Sequence, residues 1–240
     1  MKLILLLLSG FKYLKFGKLL ATGGTMLLSV AAYALVFGWR YAAGFVLLLL
    51  LHEMGHYIAA RQRGLDVGAP VFIPFVGAWI QLKDMPHDAD TEAYVGLGGP
   101  LAGTVASLAC YFAARSTGSD LLLALSYAFF INLFNLIPLS PFDGGRITAV
   151  LSPRIWLVGV PVLVALFFWR PSPILILVAV LAFPNVLRAF KYDPTLPENQ
   201  AYYGTTLESK LTYTCAYLGL VCVLAIMAHD VHEMLGHLRG

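Results

Sequence analysis

Long apolar stretches separated by short polar or basic segments follow one another along the whole chain. Seven stretches have the composition of membrane helices, and most reach the roughly 20 residues that one crossing requires. They are residues 21–38, 42–60, 93–114, 120–139, 155–169, 173–188 and 211–229. Hydrophobic residues make up 59% of the chain and charged residues 12%, which is more apolar content than a single soluble core can bury. The pattern predicts an all-α multi-pass membrane protein with six or seven spans.

No serine-rich or charged linker divides the chain into separate units, and no internal repeat is present. The longest polar stretch, residues 191–210, is too short to fold as a domain of its own. We therefore expect one membrane-embedded domain over residues 1–240, with a core at about 42–150 and accessory helices at about 155–230. Residues 1–8 resemble a short signal sequence without a cleavage site, and we expect them to remain as an interfacial or partly inserted segment.

The formal net charge is +3, and the distribution of the charge indicates an orientation. With a cytoplasmic N-terminus and alternating spans, twelve of the sixteen basic residues lie inside, which satisfies the positive-inside rule. These twelve are Lys2, Lys12, Lys15, Lys18, Arg61, Arg63, Lys83, Arg146, Arg154, Arg188, Lys191 and Lys210. Basic residues are dispersed between apolar segments rather than clustered, which argues against nucleic acid as a partner.

Residues 68–82 are apolar, but two glycines and two prolines interrupt them, so a straight spanning helix is not expected. The β-branched and aromatic residues between these breaks predict extended backbone. At membrane depth, such backbone requires protein or a wet cavity to satisfy its polar groups. The segment is therefore predicted to form a re-entrant loop or a β-like hairpin beside the active site.

The strongest candidate for chemistry is the H-E-x-x-H signature formed by His52, Glu53 and His56, directly after the apolar run 45–51. On a helix, the two histidines lie four residues apart and share a face, as two zinc ligands would. Glu53 is adjacent to the first histidine, where its carboxylate can take a proton from a water molecule. Ionisable residues are costly in a membrane segment and therefore indicate function. The signature predicts one zinc ion per chain and hydrolysis within or beside the membrane.

A hydrolytic zinc site needs three protein ligands and an open position for water. The candidate for the third ligand lies downstream, in the sequence Asn135-Leu-Ile-Pro138-Leu-Ser-Pro141-Phe-Asp143-Gly144-Gly145. The prolines are expected to end the preceding helix, and the glycines give the Asp143 carboxylate room to approach a metal. Together with H-E-x-x-H, this N-x-x-P-x-x-P-x-D-G-G run resembles the site-2 protease family of intramembrane zinc metalloproteases (peptidase family M50).

The resemblance implies a role for each matching residue. Asp143 is the third zinc ligand, Glu53 is the general base, and Asn135 helps to hold the substrate carbonyl or the oxyanion. An asparagine in a membrane helix can also serve only to form a hydrogen bond with a neighbouring helix. Because this applies to Asn135, Asn132, one turn earlier, stays open as the alternative for the catalytic role. Residues 96–103 resemble the glycine-proline motif of the family, and their G-x-x-x-G spacing predicts close helix packing.

The resemblance also implies the activity, which is cleavage of transmembrane segments of other membrane proteins during regulated intramembrane proteolysis. The expected location is a cell membrane, the inner membrane of a bacterium. Residues 71–80 are expected to present a strand edge to unwound substrate, because a helical peptide bond is shielded until the chain is extended. The chain resembles the minimal form of the family, without PDZ or CBS domains.

Two other functions stay open at this point. One is a membrane-anchored quality-control zinc protease with a water-exposed site, for which Glu92 or Glu233 is the third ligand. The other is a zinc-binding membrane protein without catalytic activity. A C-terminal set with helical spacing, His229, Glu233 and His237, is expected to lie on a solvated helix rather than to bind a second metal.

Overall fold

The computed structural model of the protein describes residues 15–75, 77–82 and 84–237, so the predicted segment 1–8 lies outside the described residues. In chain order, the elements are helices α1 (Lys15–Phe37) and α2 (Trp39–Gln62), strands β1 (Val67–Ile73) and β2 (Gly77–Leu82), helices α3 (Ala89–Thr117), α4 (Asp120–Ser126), α5 (Ala128–Asn135) and α6 (Asp143–Thr148), a 3-10 turn (Pro153–Ile155), and helices α7 (Trp156–Trp169), α8 (Pro173–Lys191), α9 (Pro197–Tyr203) and α10 (Leu207–His237).

In the described part of the chain, four helices are long and apolar enough to cross a membrane, namely α2, α3, α8 and α10. Three shorter apolar helical stretches, 22–37, 120–135 and 153–169, coincide with the other predicted spans. The second of these is interrupted at Tyr127 and ends ahead of Pro138, because a proline cannot continue the helical hydrogen bonding. The mainly helical membrane fold is confirmed, whereas the count of six or seven spans stays a prediction.

Helices α2 and α3 approach to backbone contact where Gly55 of α2 faces Gly98 of α3. A Cβ added to either residue would overlap the carbonyl oxygen of the other, so only glycine permits this distance. Helix α3 starts after Asp88, whose carboxylate accepts a hydrogen bond from the Thr91 N–H at 2.7 Å and caps the helix. The close approach fixes which side of α2 faces α3.

Strands β1 and β2 form a two-stranded antiparallel sheet, which confirms the hairpin predicted for residues 68–82. The sheet lies along α2, because Phe72 packs in one cluster with Val46 of α2, and Ile80 packs in another with Ala60 of α2. Phe72 and Ile80 of the hairpin are thus buried against the helix that carries the H-E-x-x-H signature.

Helix α1 covers the outer edge of β1. The Thr22 hydroxyl donates a hydrogen bond to the carbonyl oxygen of Pro70 at 2.7 Å, and the Thr25 hydroxyl accepts one from the N–H of Phe72 at 3.3 Å. These bonds satisfy backbone groups that the neighbouring strand does not reach. A second strand therefore cannot pair with β1 on this side unless α1 moves.

In the residues that the structure describes, no hydrogen bond from a helix covers the outer edge of β2 in this way. Backbone groups of successive residues point to opposite sides of a strand. Because the backbone N–H of Phe72 points towards α1, the backbone groups of Val71 point towards its partner Trp79 on β2. The backbone groups of Ala78, which is paired with Phe72, accordingly point away from β1. Among the residues that the structure describes, no other element forms a backbone hydrogen bond with Ala78. The sheet thus keeps one unpaired edge, along β2.

The connection between α5 and α6 is fixed by side chains from later helices. The Tyr217 hydroxyl of α10 donates to the carbonyl oxygen of Leu136 at 2.6 Å, and the buried indole N–H of Trp156 donates to the carbonyl oxygen of Gly145 at 2.8 Å. Both bonds satisfy backbone acceptors in a tightly packed segment. They fix the connection on either side of Asp143, the first residue of α6.

Candidate metal centre

His52 and His56 of α2 meet the carboxylate of Asp143, although 91 positions separate His52 from Asp143 along the chain. Nε2 of His52 lies 3.1 Å from Oδ2 of Asp143, Nε2 of His56 lies 3.2 Å from Oδ1, and the two Nε2 atoms are 3.2 Å apart. All three side chains are buried, at 7–8% exposure. In the part of the chain that the structure describes, they form the single group of potential metal ligands.

The donor atoms have the spacing that a tetrahedral zinc site requires. With bonds of about 2.0–2.1 Å, the ligands of such a site are roughly 3.3–3.4 Å apart, close to the separations of 3.1–3.2 Å between the imidazole and carboxylate atoms. Two imidazoles and one carboxylate also form the ligand set of many hydrolytic zinc enzymes, in which the fourth position is open. The residues at this site therefore fit a catalytic zinc ion.

The other nitrogen of each imidazole has a hydrogen-bond partner that sets its tautomer. Nδ1 of His52 lies 2.8 Å from Oδ1 of Asn132, and Nδ1 of His56 lies 2.8 Å from the carbonyl oxygen of Val95. Because both partners are acceptors, each Nδ1 carries the proton and each Nε2 keeps its lone pair for a metal. This arrangement orients both histidines as zinc ligands.

Of the two candidate asparagines, Asn132 is the one in contact with a predicted ligand. It is buried at 4% exposure, and its Nδ2 donates to the carbonyl oxygen of Ala128 at 3.0 Å, which fixes the amide so that Oδ1 faces His52. Asn135 lies at the end of α5, less buried, and lines a cavity of about 20 Å³ together with His52. That volume is room for about one water molecule. The two asparagines thus have different surroundings, and the catalytic role of Asn135 stays a prediction.

Two glycines of α3 have a role that the sequence alone did not reveal. A Cβ on Gly99 would overlap the imidazole of His56, and a Cβ on Gly103 would overlap the amide of Asn132. The G-x-x-x-G spacing predicted close packing between helices, and the neighbours here are the site residues themselves. Helix α3 therefore leaves the room in which His56 and Asn132 take their positions.

Glu53 is buried at 8% exposure beside the ligand group without belonging to it. It lies near enough to His52, His56 and Asp143 for their charges to interact. In the described part of the chain, its carboxylate forms no hydrogen bond or ion pair with another residue. An acceptor in this position is available for a proton from a water molecule.

The other residues considered as ligands lie elsewhere. Glu92 accepts a hydrogen bond from the hydroxyl of Tyr202 at 2.8 Å and is not part of the ligand group. Glu233 is exposed on α10, and the set that it forms with His229 and His237 is not a metal-ligand group within residues 84–237. The geometry thus favours Asp143 as the third ligand over either glutamate.

Comparison with known proteins points to one family of peptidases. Peptidase family M50 matches residues 40–128. Zinc metalloprotease MJ0392 of Methanocaldococcus jannaschii is 32% identical over 127 residues, which are 48% of this chain and 36% of that protein. Probable zinc metalloprotease EGY1, chloroplastic, is 35% identical over 75 residues in Arabidopsis thaliana, or 29% of this chain and 14% of that protein. Its counterpart in Oryza sativa subsp. japonica is 33% identical over 75 residues, which are 29% of this chain and 13% of that protein.

These matches cover little more than a third of the relatives at most. The relatives are zinc metalloproteases by name, and with the His52, His56 and Asp143 group they indicate zinc as the metal. The family match over residues 40–128 includes both histidines but ends before Asp143. The position of Asp143 at the site therefore rests on the geometry of the fold.

Proposed function

We propose that this chain, whose residues 40–128 match peptidase family M50, hydrolyses peptide bonds in or beside the transmembrane segments of other membrane proteins. The match and the zinc metalloproteases of similar sequence confirm the resemblance to the site-2 protease family. The observation that carries the proposal is the buried group of His52, His56 and Asp143, with two of its members on α2, a helix that is long and apolar enough to cross a membrane.

The proposed mechanism assigns a step to each residue around the group. His52, His56 and Asp143 would hold zinc, which when bound supplies a Lewis acid for the scissile carbonyl and lowers the pKa of a water molecule. Glu53 takes the proton of the attacking water and passes it to the nitrogen of the leaving amine. Asn135, at the small cavity beside His52, donates a hydrogen bond to the carbonyl oxygen as negative charge develops there.

The unpaired edge of β2 offers a place where an extended substrate can bind. A peptide in a helix has its backbone hydrogen-bonded internally, so it must be extended before hydrolysis. Because α1 covers β1, the substrate strand adds along β2, where the backbone groups of Ala78 are unpaired. Within residues 71–80, which were predicted to present the substrate-binding edge, the proposed edge is therefore the part that belongs to β2.

The side from which water and substrate reach the site follows from the distribution of basic residues. Twelve of the sixteen lie on one side when the spans alternate, which supports a cytoplasmic location for the N-terminus and for the H-E-x-x-H end of α2. We propose the inner membrane of a bacterium as the location and regulated intramembrane proteolysis as the process.

The proposed function is tested by comparing membrane-protein fragments in cells that contain the wild-type protein or Glu53→Gln. A fragment present with the wild-type protein and lost with Glu53→Gln identifies both the activity and a substrate. Glu208→Gln, at an exposed carboxylate in the first turn of α10, is the matched control and leaves the fragment unchanged. Identical fragment patterns with wild-type and Glu53→Gln protein, at equal zinc content, would support a non-catalytic zinc-binding protein instead.

A further inference from the structure

A cavity of about 390 Å³ lies away from the metal centre, between the start of α7, the end of α8 and helix α9. Arg188 and Lys191 of α8 bring two cations to its lining, and Glu198 of α9 brings one carboxylate. In the described part of the chain, neither cation forms an ion pair. The cavity thus has an excess of positive charge without a bound counterion from the protein.

A third cation lies at the rim of this cavity. The Arg154 guanidinium donates to the carbonyl oxygen of Tyr192 at 3.1 Å, and Tyr192 lines the cavity. The Tyr203 hydroxyl adds a neutral donor, since burial and the nearby Glu92 raise the pKa of Tyr203 to about 12. Guanidinium, ammonium and hydroxyl groups in the lining of one cavity are suited to phosphate oxygens.

An exposed apolar stripe leads from the cavity along α8. Its members recur every three or four residues and therefore lie on one face of the helix. They are Ile176, Val180, Phe183, Leu187 and Phe190, each 42–70% exposed. Leu187 belongs both to the stripe and to the cavity lining, so the apolar face and the cationic cavity are continuous. A ligand with a charged head and an apolar tail fits both.

We propose that this cavity binds the phosphate-bearing headgroup of an anionic phospholipid, with its acyl chains along the stripe on α8. Basic residues where a spanning helix leaves the membrane lie at the level of the headgroups, and basic pockets between such helices suit anionic lipids. The stripe favours a lipid over free phosphate, because only a lipid places a headgroup in the cavity and acyl chains along the continuous apolar face.

One residue that lines the proposed lipid site also holds the segment next to the metal centre in place. Trp156 lines the cavity, and its indole N–H donates to the carbonyl oxygen of Gly145, two positions after Asp143. An occupied cavity would thus hold Trp156 in place against this carbonyl group. The binding site itself does not depend on proteolytic activity.

The test is native mass spectrometry of the full chain released from nanodiscs of phosphatidylcholine containing a minor fraction of phosphatidylglycerol. We expect wild-type protein to retain phosphatidylglycerol, and Arg188→Gln/Lys191→Gln to lose about tenfold to thirtyfold in retention. The charge-conserving pair Arg188→Lys/Lys191→Arg retains the lipid, as does Arg170→Gln, at an exposed cation between α7 and α8. Zinc content is measured in each variant as a control for folding.

Two results would overturn the proposal. Equal retention of phosphatidylglycerol by wild-type protein and by a folded Arg188→Gln/Lys191→Gln variant would show that the cavity does not select the headgroup. Displacement of the lipid by millimolar glycerol phosphate would show that the phosphate alone suffices and that the stripe is not involved. Neither measurement uses peptide cleavage, so a failure here is distinct from a failure of the proposed protease function.

Discussion

Nδ1 of His52 lies 2.8 Å from Oδ1 of Asn132, in a hydrogen bond that joins the H-E-x-x-H helix to α5. The amide is itself held by the carbonyl oxygen of Ala128, so its oxygen faces the imidazole. An acceptor at Nδ1 fixes the tautomer in which Nε2 is free for zinc. In the proposed mechanism, Asn132 therefore acts on the metal through His52, whereas Asn135, at the small cavity beside His52, contacts the substrate carbonyl group.

Substitution of the two asparagines is expected to impair different properties, namely zinc binding for Asn132 and catalysis for Asn135. Asn132→Ala should lower zinc affinity about 10–100-fold, as the loss of a hydrogen bond behind a ligand does. Asn135→Ala should leave zinc affinity unchanged and lower kcat by about a hundredfold or more. Zinc titration and cleavage of a reporter substrate, with Asn185→Ala on α8 as the control, distinguish the two. Full activity of Asn135→Ala would remove that residue from the mechanism.

Asp143 is expected to be indispensable for zinc binding. Asp143→Ala leaves two imidazoles, and zinc affinity should fall by at least about a hundredfold, more than the loss of an outer partner costs. Elemental analysis should give one zinc per wild-type chain and none for His52→Ala. Glu92→Gln is the control, because Glu92 bonds to Tyr202 rather than to the ligand group. Zinc and activity retained by Asp143→Ala would instead favour a zinc protease with a glutamate ligand.

Gly99 tests whether α3 makes room for the metal centre. The added methyl group of Gly99→Ala would overlap the His56 imidazole, so His56 or α3 must shift. We expect a loss of about 1–3 kcal/mol in stability and a lower zinc affinity, measured by thermal unfolding with and without zinc. Gly219→Ala on α10 has no neighbour within 4 Å and should change neither quantity. Unaltered zinc binding in Gly99→Ala would show that the contact is unimportant.

The edge of β2 is tested by proline substitution. Ala78→Pro removes an N–H that points away from β1, so the hairpin should persist while substrate pairing is lost. We expect cleavage to fall at least about tenfold, with zinc content unchanged. Val76, the other position suited to this test, lies outside the described residues.

Thr22→Val/Thr25→Val is the matched variant for the opposite edge of the sheet. It removes the hydroxyls that cover β1 but leaves β2 as it is, so cleavage should be retained. If Ala78→Pro cleaves at the wild-type rate, or if only the threonine variant loses activity, substrate does not add along β2.

The sequence by itself determined the features that depend on local spacing. Two histidines four residues apart share a face of any helix, so the H-E-x-x-H half of the site followed from the sequence. The Pro and Gly breaks in residues 68–82 likewise excluded a straight helix and predicted the hairpin. The apolar stretches located the helices, because their length and composition suit a membrane.

Only the tertiary structure decided which distant groups meet. The contact of His52 with Asp143 spans 91 positions and depends on how α2, α3 and α6 pack, which no local pattern contains. The same packing selected Asn132 as the partner of His52 and gave Gly99 its role beside His56. Helical periodicity fixes a face of one helix, but the crossing of two helices fixes which residues on those faces come into contact.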